Sequence, residues 1–113
     1  MDCLFCKIVN GDIPANVLYE DDDVMAFEDI MPQAPTHFLV IPKRHISTLN
    51  DLTGADTAVV GKLPITAAKI AKQKGISDAG YRVVMNCNEM GGQTVYHIHM
   101  HVLGGRAMTW PPG

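Results

Sequence analysis

Three of the chain's five histidines stand at alternate positions, in the run Gln93-Thr94-Val95-Tyr96-His97-Ile98-His99-Met100-His101-Val102-Leu103. Thr, Val, Tyr and Ile fill the rest of the run, which predicts a β-strand. Side chains on a strand alternate faces, so His97, His99 and His101 share one face and Ile98, Met100 and Val102 the other. Neighbouring histidines would stand ~6.6 Å apart at their roots, close enough to converge on one ligand. An imidazole titrates near ~6.5 and is largely the free base at neutral pH, able to attack as a nucleophile. Attack on phosphorus splits one hard displacement into two easier ones, provided donors neutralise the phosphoryl oxygens. The middle histidine has an imidazole on either side, while Asn86, Thr94 and the Gly92 N–H could act as those donors. Gly91-Gly92-Gln93-Thr94, just upstream, suits a loop that meets an anion. Three imidazoles on one face with no acidic neighbour are hard to explain structurally, because each buried ring needs a partner.

The elements that must position these groups follow from the rest of the chain. Its 113 residues, 47% apolar and 19% charged, are one globular domain, 1–113, with a modest core. A net charge of −3 argues against a nucleic-acid partner and makes any phosphate site local. No apolar run approaches a membrane span and no leader pattern is visible, so a soluble, cytoplasmic protein is expected. Cys3-Leu4-Phe5-Cys6-Lys7-Ile8-Val9 predicts a short helical turn with Leu4, Phe5 and Ile8 on its apolar side, broken at Gly11-Asp12-Ile13-Pro14. Residues 17–20 and 24–29 predict a hairpin, with the acidic Glu20-Asp21-Asp22-Asp23 as its solvated turn. A proline-stiffened loop, 30–35, leads into an apolar strand over 36–41. A long helix is predicted from Asp51 through Val59, Leu63, Ala67 and Ile70, with a kink or restart at Pro64 and a cap at Gly75. Residues 80–86 predict a strand, 87–92 a loop, and the histidine run the last strand. The sum is α+β: a five-stranded antiparallel sheet with one long and one short helix.

His97-Ile98-His99-Met100-His101-Val102-Leu103 resembles the His-φ-His-φ-His-φ-φ signature of the histidine triad (HIT) superfamily. The flanking Gly91-Gly92-Gln93-Thr94-Val95-Tyr96 and the ending Gly104-Gly105-Arg106…Trp110-Pro111-Pro112-Gly113 resemble its Hint branch, the histidine triad nucleotide-binding proteins. The resemblance implies the same α+β sheet, continued into ten strands across a homodimer. It implies hydrolysis of a purine nucleoside 5′-phosphoramidate to AMP or GMP, without a metal in the chemistry. His99 then corresponds to the nucleophile that becomes nucleotidylated, and His101 to the partner that contacts phosphate and assists the leaving group. His37 buttresses the pair, and the carbonyl of His97 holds the Nδ1 proton of His99. Asn86, Gly92 and Thr94 align with phosphate-binding positions, Thr94 standing where serine is common. Asp29 aligns with the acceptor of the ribose hydroxyls, a task that suits two carboxylate oxygens. By residue type alone it is a strand-end turn residue. Leu4, Phe5, Ile8, Ile13, Phe27 and Ile30 align with the apolar slot for the purine, although composition alone makes them core. Trp110 is expected to reach across the dimer.

Cys3-x-x-Cys6 has zinc-knuckle spacing and needs two further ligands. The resemblance supplies them, since some members bind structural zinc through the equivalents of Cys3, Cys6, His45 and His97; others in the branch lack the pair. Cys87 has no role in this scheme. Three other readings remain open: a catalytic metal on His97, His99 and His101; a non-enzymatic purine nucleotide-binding or regulatory module; and another branch of the superfamily, such as a dinucleoside polyphosphate hydrolase or a nucleotidyl transferase.

Overall fold

The computed structural model describes residues 3–113. In chain order it has α1 (Leu4–Val9), β1 (Val17–Glu20), β2 (Val24–Glu28), β3 (Thr36–Pro42), α2 (Thr57–Gln73), β4 (Tyr81–Val84), α3 (Asn88–Gly91) and β5 (Met100–Gly104). The five strands form one sheet in the order β1-β2-β3-β5-β4, every neighbouring pair antiparallel. None of the helices described is long and apolar enough to cross a membrane.

Both faces of the central strands are buried, which accounts for the nearly continuous apolar sequences of β2 and β3. On one face Val24, Ala26, Phe38, Val40, Met100 and Val102 pack under α2 through Leu63, Ala67 and Ile70. On the other, Met25, Phe27, Leu39 and Ile41 pack under α1 through Cys3 and Phe5. Burying Phe38 and Ile41 completely contributes roughly 1.5–3 kcal/mol each. The period-2 alternation of β3 thus divides its side chains between two cores, and His37 points to the α1 side with Leu39 and Ile41.

The long helix differs from expectation in two ways. The long helix begins at Thr57 rather than Asp51, because tandem Thr-x-x-Asp sequences build two separate 3₁₀ turns, Leu49–Asp51 and Gly54–Asp56. In each, the Asp folds back onto the backbone of its own Thr, closing a capping box that stops one turn before the next begins. From Thr57 the helix runs unbroken through Pro64, which lies on its exposed side, and it ends with Gly75 at φ +76°. The acidic turn is solvated but also structured. Asp21 Oδ1 accepts from the N–H groups of Asp23 and Val24, and Lys62 reaches both Asp21 and Asp23.

Candidate active site

β5 begins only at Met100, so the predicted histidine strand is half strand and half loop. Two ties draw residues 93–99 away from a ladder. The buried Gln93 amide donates to Ser47 O and Val95 O and its oxygen accepts from Asn88 N–H. The Ile98 N–H donates to Ile46 O at 2.7 Å. His97 therefore turns to the segment behind it: its Nε2–H donates to Pro42 O at 2.7 Å and its Nδ1 faces Cys3 and Cys6. With both ring nitrogens engaged there, His97 does not share a ligand position with His99 and His101, and the three-histidine metal reading fails.

His99 and His101 do converge, their ring centroids 4.9 Å apart. The His99 Nδ1–H donates to the carbonyl of His97 at 2.8 Å, which leaves the lone pair on Nε2. Phe5 packs edge to face with the same ring, centroids 5.1 Å apart. Burial lowers the His99 pKa below the usual imidazole range, so the ring is neutral at pH 7. His101 is pushed down to about 4, chiefly by burial and then by the neighbouring His99 and His37.

The sheet register brings His37 to this pair. Leu39 on β3 faces His101 on β5 and His37 faces Leu103, so His37 and His101 are diagonal neighbours on one face. His37 Nε2 lies 3.0 Å from His101 Nδ1 and 3.3 Å from Asp29 Oδ2, while its Nδ1 accepts the backbone N–H of Gln33 at 3.0 Å. Burial lowers its pKa, against an opposing pull from Asp29. Asp29 is also the strand-end residue its type suggests. Its N–H donates to His37 O and its Oδ1 accepts from Met31 N–H, which fixes the carboxylate beside His37.

The remaining expected residues divide. Asn86 is half-buried and Thr94 exposed beside the loop, both with side chains able to meet an anion. The Gly92 N–H is engaged with Glu89 O at 3.0 Å, because residues 88–91 form α3 rather than an open loop and Gly92 caps it at φ +84°. The backbone donor expected from Gly92 is therefore taken within the loop. Of the six apolar residues, Phe5 and Phe27 are buried and meet edge to face at 5.5 Å, with Ile8 and Ile13 half-buried. Leu4 and Ile30 are not core: they are 43% and 93% exposed. Trp110 is 82% exposed. Two contributors escaped the sequence reading. Gln93 was one polar residue in a glycine-rich loop. Gln33 donates to the site only through its backbone, which leaves no mark in side-chain identity.

Among the described residues, two groups of side chains have metal-ligand composition, each with its donor atoms within 4.8 Å of one another: Cys3, Cys6, His45, His97, and Asp29, His37, His101. In the first, His97 Nδ1 lies 3.4 and 3.6 Å from the two sulfurs and His45 Nδ1 lies 3.4 Å from Cys6 Sγ. Zinc–sulfur bonds of about 2.3 Å and zinc–nitrogen bonds of about 2.0–2.1 Å at tetrahedral angles put neighbouring S and N about 3.5–3.6 Å apart. The tautomer fits as well, since the Pro42 carbonyl holds the His97 proton at Nε2 and leaves Nδ1 bare. The second group fails the same test. Gln33 N–H occupies the lone pair of His37 Nδ1, so the neutral ring carries its proton on Nε2, the atom a metal would need.

The sequence pattern of the HIT domain matches residues 10–108, which includes the pair His99–His101, His37 and Asp29. The chain belongs to the HIT domain family. It is 51% identical over 107 residues to the purine nucleoside phosphoramidase of Escherichia coli (strain K12), covering 95% of this chain and 90% of that protein. The crystal structure of a HIT family hydrolase from Legionella pneumophila Philadelphia 1 superposes with a TM-score of 0.97 at 57% identity, covering 99% of this chain and 100% of that one. A histidine triad protein from Clostridium difficile superposes at 0.93 and 47% identity, over 96% of this HIT chain and 95% of its own.

Proposed function

We propose that this HIT protein hydrolyses purine nucleoside 5′-phosphoramidates through a nucleotidylated His99. The observation that carries the reading is the His99 Nδ1–H···O bond to the His97 carbonyl, which aims a bare, neutral Nε2 beside a second imidazole. The name of the Escherichia coli relative supports the substrate class.

In the first half-reaction the Nε2 lone pair bonds to the α-phosphorus and the bond from phosphorus to the amine nitrogen breaks. That nitrogen keeps the electron pair and takes a proton delivered by way of His101, leaving as ammonia or an amine. In the second half, water oxygen bonds to phosphorus, the His99–phosphorus bond breaks with its pair returning to Nε2, and a proton of that water replaces the one the amine took. AMP or GMP departs. His101 contacts the phosphoryl group and the departing atom, and the Thr94 hydroxyl and Asn86 amide donate to phosphoryl oxygens. Asp29 Oδ2, beside His37, accepts from the ribose hydroxyls. Phe5, Phe27, Ile8 and Ile13 wall the purine, and the exposed Leu4 and Ile30 close over it.

Zinc on Cys3, Cys6, His45 and His97 plays a structural part only, tying α1 to the loop that carries the His97 carbonyl, since four protein ligands leave no open position for water. The functional unit is a homodimer. The sheet ends at β4, where Val83 is exposed and the tail crosses at Arg82, whose guanidinium donates to Thr109 O. A second copy added along that edge continues the sheet to ten strands and covers Trp110.

The test is release of AMP from adenosine 5′-phosphoramidate by the wild type and by His99→Ala. The expected loss in kcat is on the order of 10³-fold or more. Equal release by both would refute the nucleophile.

A further inference from the structure

We infer that the backbone amide of Gln33, acting through His37, fixes His101 as its Nε2–H tautomer, so that His99 and His101 face the reacting phosphorus in opposite proton states. A backbone N–H can only donate, so the 3.0 Å contact makes His37 Nδ1 an acceptor. His37 is buried and neutral and therefore carries its one proton on Nε2. That proton has two acceptors in reach, His101 Nδ1 at 3.0 Å and Asp29 Oδ2 at 3.3 Å. With a hydrogen aimed at it, His101 Nδ1 holds a lone pair, and the neutral ring keeps its hydrogen on Nε2. His99 is set the other way round by the His97 carbonyl.

Before the reaction the two central rings are thus both neutral and differ in what they present: one a lone pair, the other an N–H. His37 is a positioning residue, because it acts on the substrate only through His101. Its removal frees His101 Nδ1 to take the proton and aim it at Asp29 Oδ2, 4.0 Å away. A bare Nε2 would then face an anionic phosphoryl group, a repulsive contact in place of an attractive one. The tautomer assignment stands on the geometry; its catalytic consequence rests on the phosphoramidate reading.

The test is ¹⁵N NMR of the imidazole nitrogens in the labelled full chain near pH 7.5, paired with kinetics. Wild type should show His101 protonated at Nε2 and His99 at Nδ1. His37→Ala should move His101 out of the Nε2–H form with His97 unmoved, and His37→Gln, whose carboxamide N–H can replace the imidazole donor, should restore it. With adenosine 5′-phosphoramidate, His37→Ala should lower kcat on the order of 10²-fold with KM little changed, and His37→Gln should recover most of that loss. A wild-type His101 protonated at Nδ1, or a His101 tautomer unchanged in His37→Ala, overturns the inference. If the alanine variant does not fold, the wild-type and His37→Gln spectra decide it. If the wild type turns over no phosphoramidate while the His101 signals move as stated, the activity reading fails and the tautomer device stands.

Discussion

His37 is buried and His101 half-buried, and desolvation is the largest cause of both depressed pKa values. In the unfolded chain each titrates near about 6.5. Between that value and the folded one, about 4 for His101, the unfolded state binds more protons, so stability rises with pH across this window. These two residues therefore destabilise the fold progressively as pH falls from about 6.5 toward 4, and contribute no pH dependence above about 7.5. Urea midpoints at pH 7.5 and pH 5 should differ accordingly, and the difference should shrink in His101→Gln; an equal difference in that variant would contradict the assignment. Much of this scale was legible in the sequence. Alternate histidines with an apolar opposite set singled out His97, His99 and His101 together; the structure brings His99 and His101 together and turns His97 away, and the separate role of His101 came from the family resemblance. Asp29 and His37 needed the family resemblance, because one carboxylate and one imidazole far apart in the chain carry no pattern of their own. The Gln33 amide was out of reach of any reading of side chains, as was the Gly92 N–H, whose partner depends on a one-turn helix.

At the scale of elements, β1, β2 and β3 fall within a residue of expectation: β2 and β3 because burial on both faces makes them apolar runs, and β1, only half-buried, because the acidic turn fixes its hairpin with β2. The failures share a cause. Short side chain-to-backbone bonds overruled the periodic pattern at residues 48–56, where two Thr-x-x-Asp boxes replace a helical start, and at 93–99, where the Gln93 amide replaces a ladder. The first signal was present in the sequence as the repeated Thr-x-x-Asp spacing; the second was not, since its partners lie in another segment. α1 illustrates how a short helix gains stability it lacks alone. Its six residues are anchored by Phe5 and by Cys3 and Cys6 against His45 and His97. Zinc analysis should find one ion per chain, and chelation should lower the melting temperature while turnover persists in whatever remains folded. A metal-free protein of unchanged melting temperature would remove the zinc proposal.

The whole molecule places its chemistry on the α1 side of the sheet, and α2 shields the other face. Its antiparallel order leaves β1 and β4 as edges. The β4 edge, with Val83 exposed and the tail tied to it at Arg82, is the one suited to a second copy, and solution mass should report a dimer; a monomer at micromolar concentration would contradict that assembly. The proposed mechanism turns on the covalent intermediate. The most direct measurement mixes the protein with adenosine 5′-phosphoramidate, quenches in alkaline denaturant within the first turnover, and maps added mass by peptide mass spectrometry. One adenylyl group on the peptide containing His99, absent from His99→Ala, is the predicted result. AMP release by the wild type with no adenylylated His99, or release by His99→Ala at the wild-type rate, would contradict the mechanism.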